Sequence, residues 1–492
     1  MLNRFSMPIL VGFTCVLLAL PTAASATTLT SSAVTSAAAA TSGRIAPASA
    51  AQPAAAAPKW YATELPLPAD GGGAEGYMFA KTHGDPGCAA GSCVAVGTYH
   101  GSSGYEGLIA YGSGRTWKAM AAPLPAAAKP AAAEDAEDTT LAGVACGSQC
   151  VAIGSYVVNP DGLDQAYDAL LEIGSGSSWT PLSAPVPAKS DTSSLQYAAC
   201  GTICAAVGDY APASGVGGGG LLELGSGKSW KASTVPLPAN SEGKSGGVSF
   251  SGVTCKAKTC LAYGSYYTKG GVQEGLLVSE TNGGRWGADE VPLPANASKY
   301  APVVELWAAC QSAKACTVVG SYEEGPDSVA GLYLTGIGRG WKSSASRLAS
   351  IGGGLYLNGV ACPSGTSCTF TGDDGVGPVI VTVASGKWTV LKEPFPKGSV
   401  AATYQTGFGC TSKGVCTATG MYSNAHGQQG YLVTGQGKTW KAVEAPVPGN
   451  AESDPDVTLN PVACNATVCA VEGWYYTSHS GSLGSTPYLV SD

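Results

Sequence analysis

A repeat that begins at one end of the chain and finishes at the other constrains this sequence more than any other feature. From Trp60 onward one unit recurs. A short apolar run ends in Cys, and a second Cys a few residues later opens another run ending in Gly-x-Tyr. A further apolar run, a Gly-rich turn, a Trp and a Pro-x-Pro complete the unit. Eight Cys pairs mark it: Cys88 with Cys93, Cys146 with Cys150, Cys200 with Cys204, Cys255 with Cys260, Cys310 with Cys316, Cys362 with Cys368, Cys410 with Cys416 and Cys464 with Cys469. Only seven are followed by the Trp: 117, 179, 230, 286, 341, 388 and 440. The eighth unit ends just after Tyr488-Leu489-Val490, and its missing piece stands at the other end, in Lys59-Trp60-Tyr61 through Pro66-Leu67-Pro68. A linear array carries caps. A unit shared between the two ends instead predicts a ring closed by its own termini, which removes exposed strand edges. With four short strands per unit, the pattern predicts an all-β chain. Its fold is a single β-propeller of eight four-stranded blades closed by an N-terminal strand. A seven-bladed ring with one degenerate repeat is the alternative.

The cysteine arithmetic agrees with this. Of 17 Cys, only Cys15 lies outside the eight pairs. Opposed residues on an antiparallel hairpin have Cα atoms about 4.5–5.5 Å apart, within disulfide range. One disulfide per blade is therefore expected, in an oxidising compartment. Metal binding by the pairs is the rival. It needs further ligands nearby, whereas the pairs are spread one per repeat.

Ahead of the repeats, Arg4, the apolar run Ile9 to Leu20 and Ala24-Ser25-Ala26 read as a signal peptide over 1–26. Cys15 has no lipobox around it, and no later run is long and apolar enough to span a bilayer. Residues 27–58 are almost all Ala, Ser, Thr and Pro, too poor in core-forming side chains to offset ordering entropy. They read as a disordered spacer before a ring over 59–492. The expected product is secreted or cell-wall associated, soluble and monomeric, with no membrane insertion after cleavage. The formal net charge of −8 argues against a nucleic-acid partner, since no basic surface is evident to neutralise phosphates.

The Gly-rich turn and its Trp resemble the Asp-box, or BNR, repeat Ser-x-Asp-x-Gly-x-Thr-Trp of sialidase-like propellers of secreted bacterial type. Gly114 and Thr116 before Trp117, and Gly437 and Thr439 before Trp440, match its last half. The Asp position is never Asp: it reads Gly112, Gly174, Gly225, Thr281, Gly336 and Gly435. The resemblance implies the propeller fold and carries no activity with it.

In propellers, the loops from second to third strand and from one blade to the next share a face. Six residues after each second Cys stand Tyr99, Tyr156, Tyr210, Tyr266, Tyr322, Asp374, Tyr422 and Tyr475. Tyr pairs an apolar ring with a polar tip and suits sugar stacking. The other possibility is that it packs on the neighbouring blade in every repeat. Beyond this register the blades differ, with Glu323 next to Tyr322 and Asp373-Asp374 replacing the aromatic in blade six. The candidate ligand-binding set is Tyr99, Tyr156, Tyr266, Tyr322, Glu323, Asp373, Asp374, Tyr422 and Tyr475. The rival for its acids is a solvated loop. His100, His426 and His479 fall in blades that become contiguous on closure and form a candidate metal set; no cofactor is otherwise expected.

Enzyme classes fare less well. A sialidase needs an arginine cluster for the substrate carboxylate, and the ring has only Arg115, Arg285, Arg339 and Arg347. The adjacent Cys-Cys pair typical of quinoprotein dehydrogenases is absent, and no nucleophile elbow is recognisable. What remains is a secreted or cell-surface binding module for an extracellular glycan or protein surface. The alternative is a glycoside hydrolase or lyase using carboxylates on the loop face.

Overall fold

The structure, a computed structural model, describes residues 58–71, 77–78, 86–101, 104–129, 139–159, 166–188, 190–212, 218–243, 247–281, 285–299, 303–325, 328–338, 340–343, 355–477 and 485–492. The signal-peptide and spacer segments, apart from Pro58, lie outside these residues. Blade two shows the common plan. Thr139–Cys146 runs innermost, followed outward by Cys150–Asn159, Ala166–Ser175 and Ser178–Ser183, all antiparallel. Eight such blades follow. Blade one departs in its inner strand, which comes as two pieces, Tyr77–Met78 and Gly87–Ala89, both paired with Ser92–Gly101.

The ring closes as the split repeat requires. Tyr61–Glu64 is the outer strand of blade eight, pairing antiparallel with Ser485–Ser491 from Tyr61↔Ser491 to Glu64↔Tyr488.

The expected disulfides all form, each within a single blade. Cys88 is bonded to Cys93, Cys146 to Cys150, Cys200 to Cys204 and Cys255 to Cys260. Likewise Cys310 is bonded to Cys316, Cys362 to Cys368, Cys410 to Cys416 and Cys464 to Cys469. Their Cα atoms lie 3.8–4.1 Å apart. That is closer than the hairpin spacing expected from the sequence, because the bond draws the two strands together next to their turn. With every one of these sulfurs in a disulfide, the pairs are not thiolate ligands and the metal-binding rival falls.

Strand side chains alternate between faces, so each blade buries both faces against its neighbours. Every interface between adjacent blades has its own apolar cluster. Between blades two and three it holds Ile153, Leu171, Leu195 and Leu221. Between blades eight and one it holds Leu489, Ala470, Leu65 and Tyr99. That last cluster places the two ends of the chain in one core.

The Gly two residues before the conserved Tyr has a steric cause. The inner strand bulges between Leu141 and Gly143, which brings its backbone toward the second strand. A Cβ on Gly154 would lie 1.8 Å from the Thr140 carbonyl oxygen. Among the described residues, no helix is long and apolar enough to cross a membrane.

Candidate functional site

The site candidates sit where the loops between second and third strands meet the loops that join blades. These two loop classes are tied together around the ring. Glu242 N–H donates to the Tyr267 carbonyl and Lys269 N–H to the Asn240 carbonyl; Ser298 donates to Glu323, Val400 to Ser423, and Glu452 to Tyr476. Each joining loop also turns tightly after its second Pro: Ser241 N–H donates to the Pro238 carbonyl, Ala297 to Pro294, and Ala451 to Pro448. The expectation that both loop classes share one face therefore holds in the geometry.

The register tyrosines do not stand open on that face. Tyr99, Tyr156, Tyr266, Tyr422 and Tyr475 are 0% exposed and Tyr322 is 3% exposed. Their rings fill the interface with the preceding blade, as Tyr156 does beside Val96 and Ile109 of blade one. Packing on the neighbouring blade is the arrangement found, and stacking of a sugar on these six rings is ruled out by burial.

Only the hydroxyls reach toward the loops, where they work as clamps. Tyr266 donates to Asn240 Oδ1 at 2.9 Å and Glu290 at 3.1 Å, while Asn240 Nδ2 donates to the same Glu290 oxygen at 2.8 Å. Tyr475 donates to Asn450 at 2.8 Å, and Asn450 in turn donates to Glu64 at 3.0 Å. Tyr322 contacts Asn296 and Glu324. Tyr422 donates to Glu444 at 2.5 Å, and Tyr156 shares a 2.6 Å bond with Ser183. Each joining loop with Asn or Asp two residues past its second Pro is thus held to the following blade. Burial is the main cause that pushes the phenols of Tyr99, Tyr156, Tyr266, Tyr322 and Tyr422 up from their ordinary pKa. Neighbouring carboxylates add to it for Tyr99, Tyr266 and Tyr422.

Blade six replaces the clamp at both ends. Asp374 stands at the Tyr position. Lys392, opposite Val379, stands where Glu290 is opposite Leu276 and Glu444 is opposite Tyr431. Lys392 Nζ lies 2.6 Å from Asp374, and this bond holds the Asp374 carboxyl below its usual range, helped by the N–H groups of Val376 and Gly377. An ion pair replaces the tyrosine–carboxylate bond. Asp374 is therefore committed to its own loop, as is Asp373, which accepts from Gly375 N–H, and neither is an unengaged ligand group. Glu323 is half-buried and Glu324 exposed.

The histidine trio is not assembled among the described residues. His100 packs edge-on to Tyr105 at 5.2 Å, His426 is exposed, and His479 lies outside the described residues. No group of three or more His, Cys, Asp or Glu there is placed to hold a metal ion.

The inner strands enclose a central cavity of about 510 Å³, lined by residues such as Gln196, Ser251, Thr254, Glu305, Asn358 and Thr406. Glu305 is the one carboxylate among the described residues lining it, so the cavity offers no acid pair. A pair occurs on the loop face instead. Tyr99 donates to Asp70 at 3.2 Å and to Glu106 at 3.0 Å. Pro-x-Pro spacing places Asp70 in register with Asn240, Asn296 and Asn450, a signal present in the sequence.

Charge is unevenly divided between the two faces, although the loop face also carries exposed Lys129, Lys269, Lys299, Lys392 and Lys397. The loop face carries exposed Glu64, Asp70, Glu242, Glu290, Glu324 and Glu444, among others. The opposite face, built from the Cys hairpins and the turns before Trp, carries exposed Lys or Arg. Arg115, Lys228, Arg285, Lys387 and Lys438 stand in or beside the turns, and Lys256, Lys258, Lys314 and Lys413 in the hairpins. The residue after Trp adds Lys118, Lys231, Lys342 and Lys441, all exposed. Apart from half-buried Asp492, no acid stands in these turns among the described residues. A basic surface is present after all; the net charge hides it by averaging over both faces.

No family model matches the chain, and no curated protein matches it. Solved structures with a similar fold include a polysaccharide lyase, at 9% identity and TM-score 0.45, covering 84% of this chain and 90% of that one. A lectin from Burkholderia pseudomallei gives 12% identity and TM-score 0.40, covering 75% of this chain and 100% of that one. Trypanosoma rangeli sialidase gives 12% identity and TM-score 0.36; 89% of this chain is covered, and the match spans 59% of the sialidase.

Proposed function

We propose that the chain is a secreted or cell-surface binding module, exported by residues 1–26 and set off by the spacer 27–58, whose loop face takes an extracellular glycan or protein. One observation carries this: on that face a repeated clamp supports side chains that change from blade to blade. Repeats keep what builds the ring and vary what meets a partner. The groups on offer are mainly carboxylates and amides, with the exposed rings of Tyr267 and Tyr356 at the loop ends of their strands. Such a surface accepts hydrogen bonds from sugar hydroxyls or ion pairs from a basic protein. The eight disulfides fit an oxidising exterior. Glycan-array binding of residues 59–492 tests the reading. A hit lost on replacing Glu323 and Glu324 together, with melting lowered no further than the loss of the Glu324 clamp bonds explains, supports it; a hit indifferent to every loop-face substitution rejects it.

A second reading, a glycoside hydrolase or lyase, is favoured by the Asp70–Glu106 pair on one Tyr99 hydroxyl. Two carboxyls at close range are what acid–base cleavage of a glycosidic bond requires. Turnover of an array hit that D70N and E106Q each abolish would establish it; binding without turnover leaves the module reading.

A further inference from the structure

The basic face is not accounted for by a ligand on the loop face. Its four lysines after Trp stand in blades one, three, five and seven, so Lys118, Lys231, Lys342 and Lys441 alternate around the ring. Each projects from the outer strand where it leaves the turn, opposite Tyr111, Leu224, Thr335 and Thr434 of the third strand. Turn and hairpin cations fill in between them. The result is a disc of like charge on one side of a chain whose net charge is −8. Self-repulsion of this kind is unfavourable for the isolated protein and is relieved by a polyanion.

We propose that this face docks on a linear acidic polysaccharide outside the cell, fixing the ring with its loop face turned outward. The chemistry of the surface selects this class among polyanions. Most of its cations are Lys, which act as point charges without the fork that reads phosphate or carboxylate stereospecifically. Many such charges spread over a rigid ring suit a flexible polymer with a regular charge spacing, engaged multivalently. A bilayer surface calls for apolar side chains to insert among headgroups. Among the described residues the exposed large apolar side chains are Leu124, Val186, Tyr267, Tyr356, Val376, Val390 and Val400, and none of them stands in these turns. Single-stranded nucleic acid calls for open aromatic platforms. None of the repeat tryptophans is exposed, and Trp179, Trp230 and Trp440 donate to the carbonyls of Gly176, Gly227 and Gly437 in their own turns. The choice of an extracellular polysaccharide over an intracellular polyanion rests on the exported reading above. The binding itself does not depend on what the loop face takes.

The test uses residues 59–492, with heparin and polygalacturonate as sulfated and carboxylated probes, and duplex DNA and anionic phospholipid vesicles as alternatives. A K118A/K231A/K342A/K441A variant removes four charges from the basic face. A charge-matched control, K129A/K269A/K299A/K397A, removes four exposed lysines from the loop face. The expected result is retention on at least one polysaccharide that weakens steeply with salt. At low salt the first variant loses affinity about tenfold or more, the control keeps it, and both melt as the parent does. Equal affinity in the two variants, or no polysaccharide binding at low salt, overturns the proposal. So does tighter binding to DNA or vesicles than to either polysaccharide. A sedimentation coefficient that rises with protein concentration in the parent, and not in the first variant, would give the face to a second copy and also overturn it. Glycan-array results that depend on Glu323 and Glu324 are read separately, so failure on one face leaves the other standing.

Discussion

Two carboxyls are buried where the repeat otherwise places aliphatic side chains. Glu172 in blade two and Glu223 in blade three are 0% exposed. Both stand two residues before the Gly that opposes the Trp, where other blades have Ala110, Val278, Leu334, Val381 and Val433. Strand alternation points Glu172 with Leu170 toward blade one, and Glu223 with Leu221 toward blade two. Neither carboxyl has a hydrogen-bond partner among the described residues. Burial alone pushes each from 4.5 up to about 8. The folded carboxyl keeps its proton up to about pH 8, whereas the unfolded one releases it near 4.5. Folding therefore takes up protons in this window, and stability falls as pH rises through it. The contribution is complete below the lower value. By pH 7 each group costs on the order of 3 kcal/mol, at about 1.4 kcal/mol per pH unit. The pair at two separate interfaces should act nearly additively. Thermal unfolding of residues 59–492 across pH 5–8 should show a falling Tm. E172L/E223L, which copies the aliphatic blades, should raise Tm at pH 7–8, have little effect near pH 5 and flatten the pH dependence. A parent Tm that is level or rising over this range, or a double variant no more stable at pH 8, would refute the reasoning.

Other consequences are as specific. Breaking the blade-six pair with K392E puts two acids together and should lower stability by about 0.5–1 kcal/mol, the scale of an exposed ion pair. D374Y/K392E, which installs the clamp of blades four and seven, should recover that loss, as read by a double-mutant cycle in denaturant. Tyr266→Phe removes one hydroxyl but leaves the Asn240–Glu290 bond in place, so its cost should be about 1 kcal/mol, with the backbone amides of the joining loop exchanging faster. Non-reducing peptide mapping should recover eight bridges, each within one blade; a bridge between blades would contradict the hairpin assignment.

What could be read in advance follows from which features a repeat writes locally. Cys pairs, Gly-Trp turns and Pro-x-Pro sit at fixed offsets, so blade count, disulfides and closure were visible along the chain. The direction of a Tyr ring was not. Tyr156 and Tyr322 could face solvent or a neighbouring blade, and only the packing of adjacent blades decides it. The Asp374–Lys392 exchange joins residues separated by 18 positions and emerges only once strands are in register. The basic face is hidden in the composition for a related reason: composition sums charge over the whole chain, while the turns collect one sign on one side. Glu172 and Glu223 depart from an aliphatic position in the sequence itself, and the Gly-to-Trp register that aligns the blades exposes them.

Both faces of the ring depend on the outer strand of blade eight being supplied by the other end of the chain. Comparing a chain that starts at Pro58 with one that starts at Asp70 tests this most directly, because the shorter chain keeps the Tyr99 clamp partner and loses Tyr61–Glu64 and Trp60. Trp60 is 9% exposed and belongs to the blade seven–eight core. Loss of such a side chain alone costs about 3–5 kcal/mol, and the unpaired edge of Ser485–Ser491 adds a site for aggregation. The shorter chain is predicted to melt well below the longer one and to aggregate on heating. Identical melting of the two would contradict closure of the ring by its own ends.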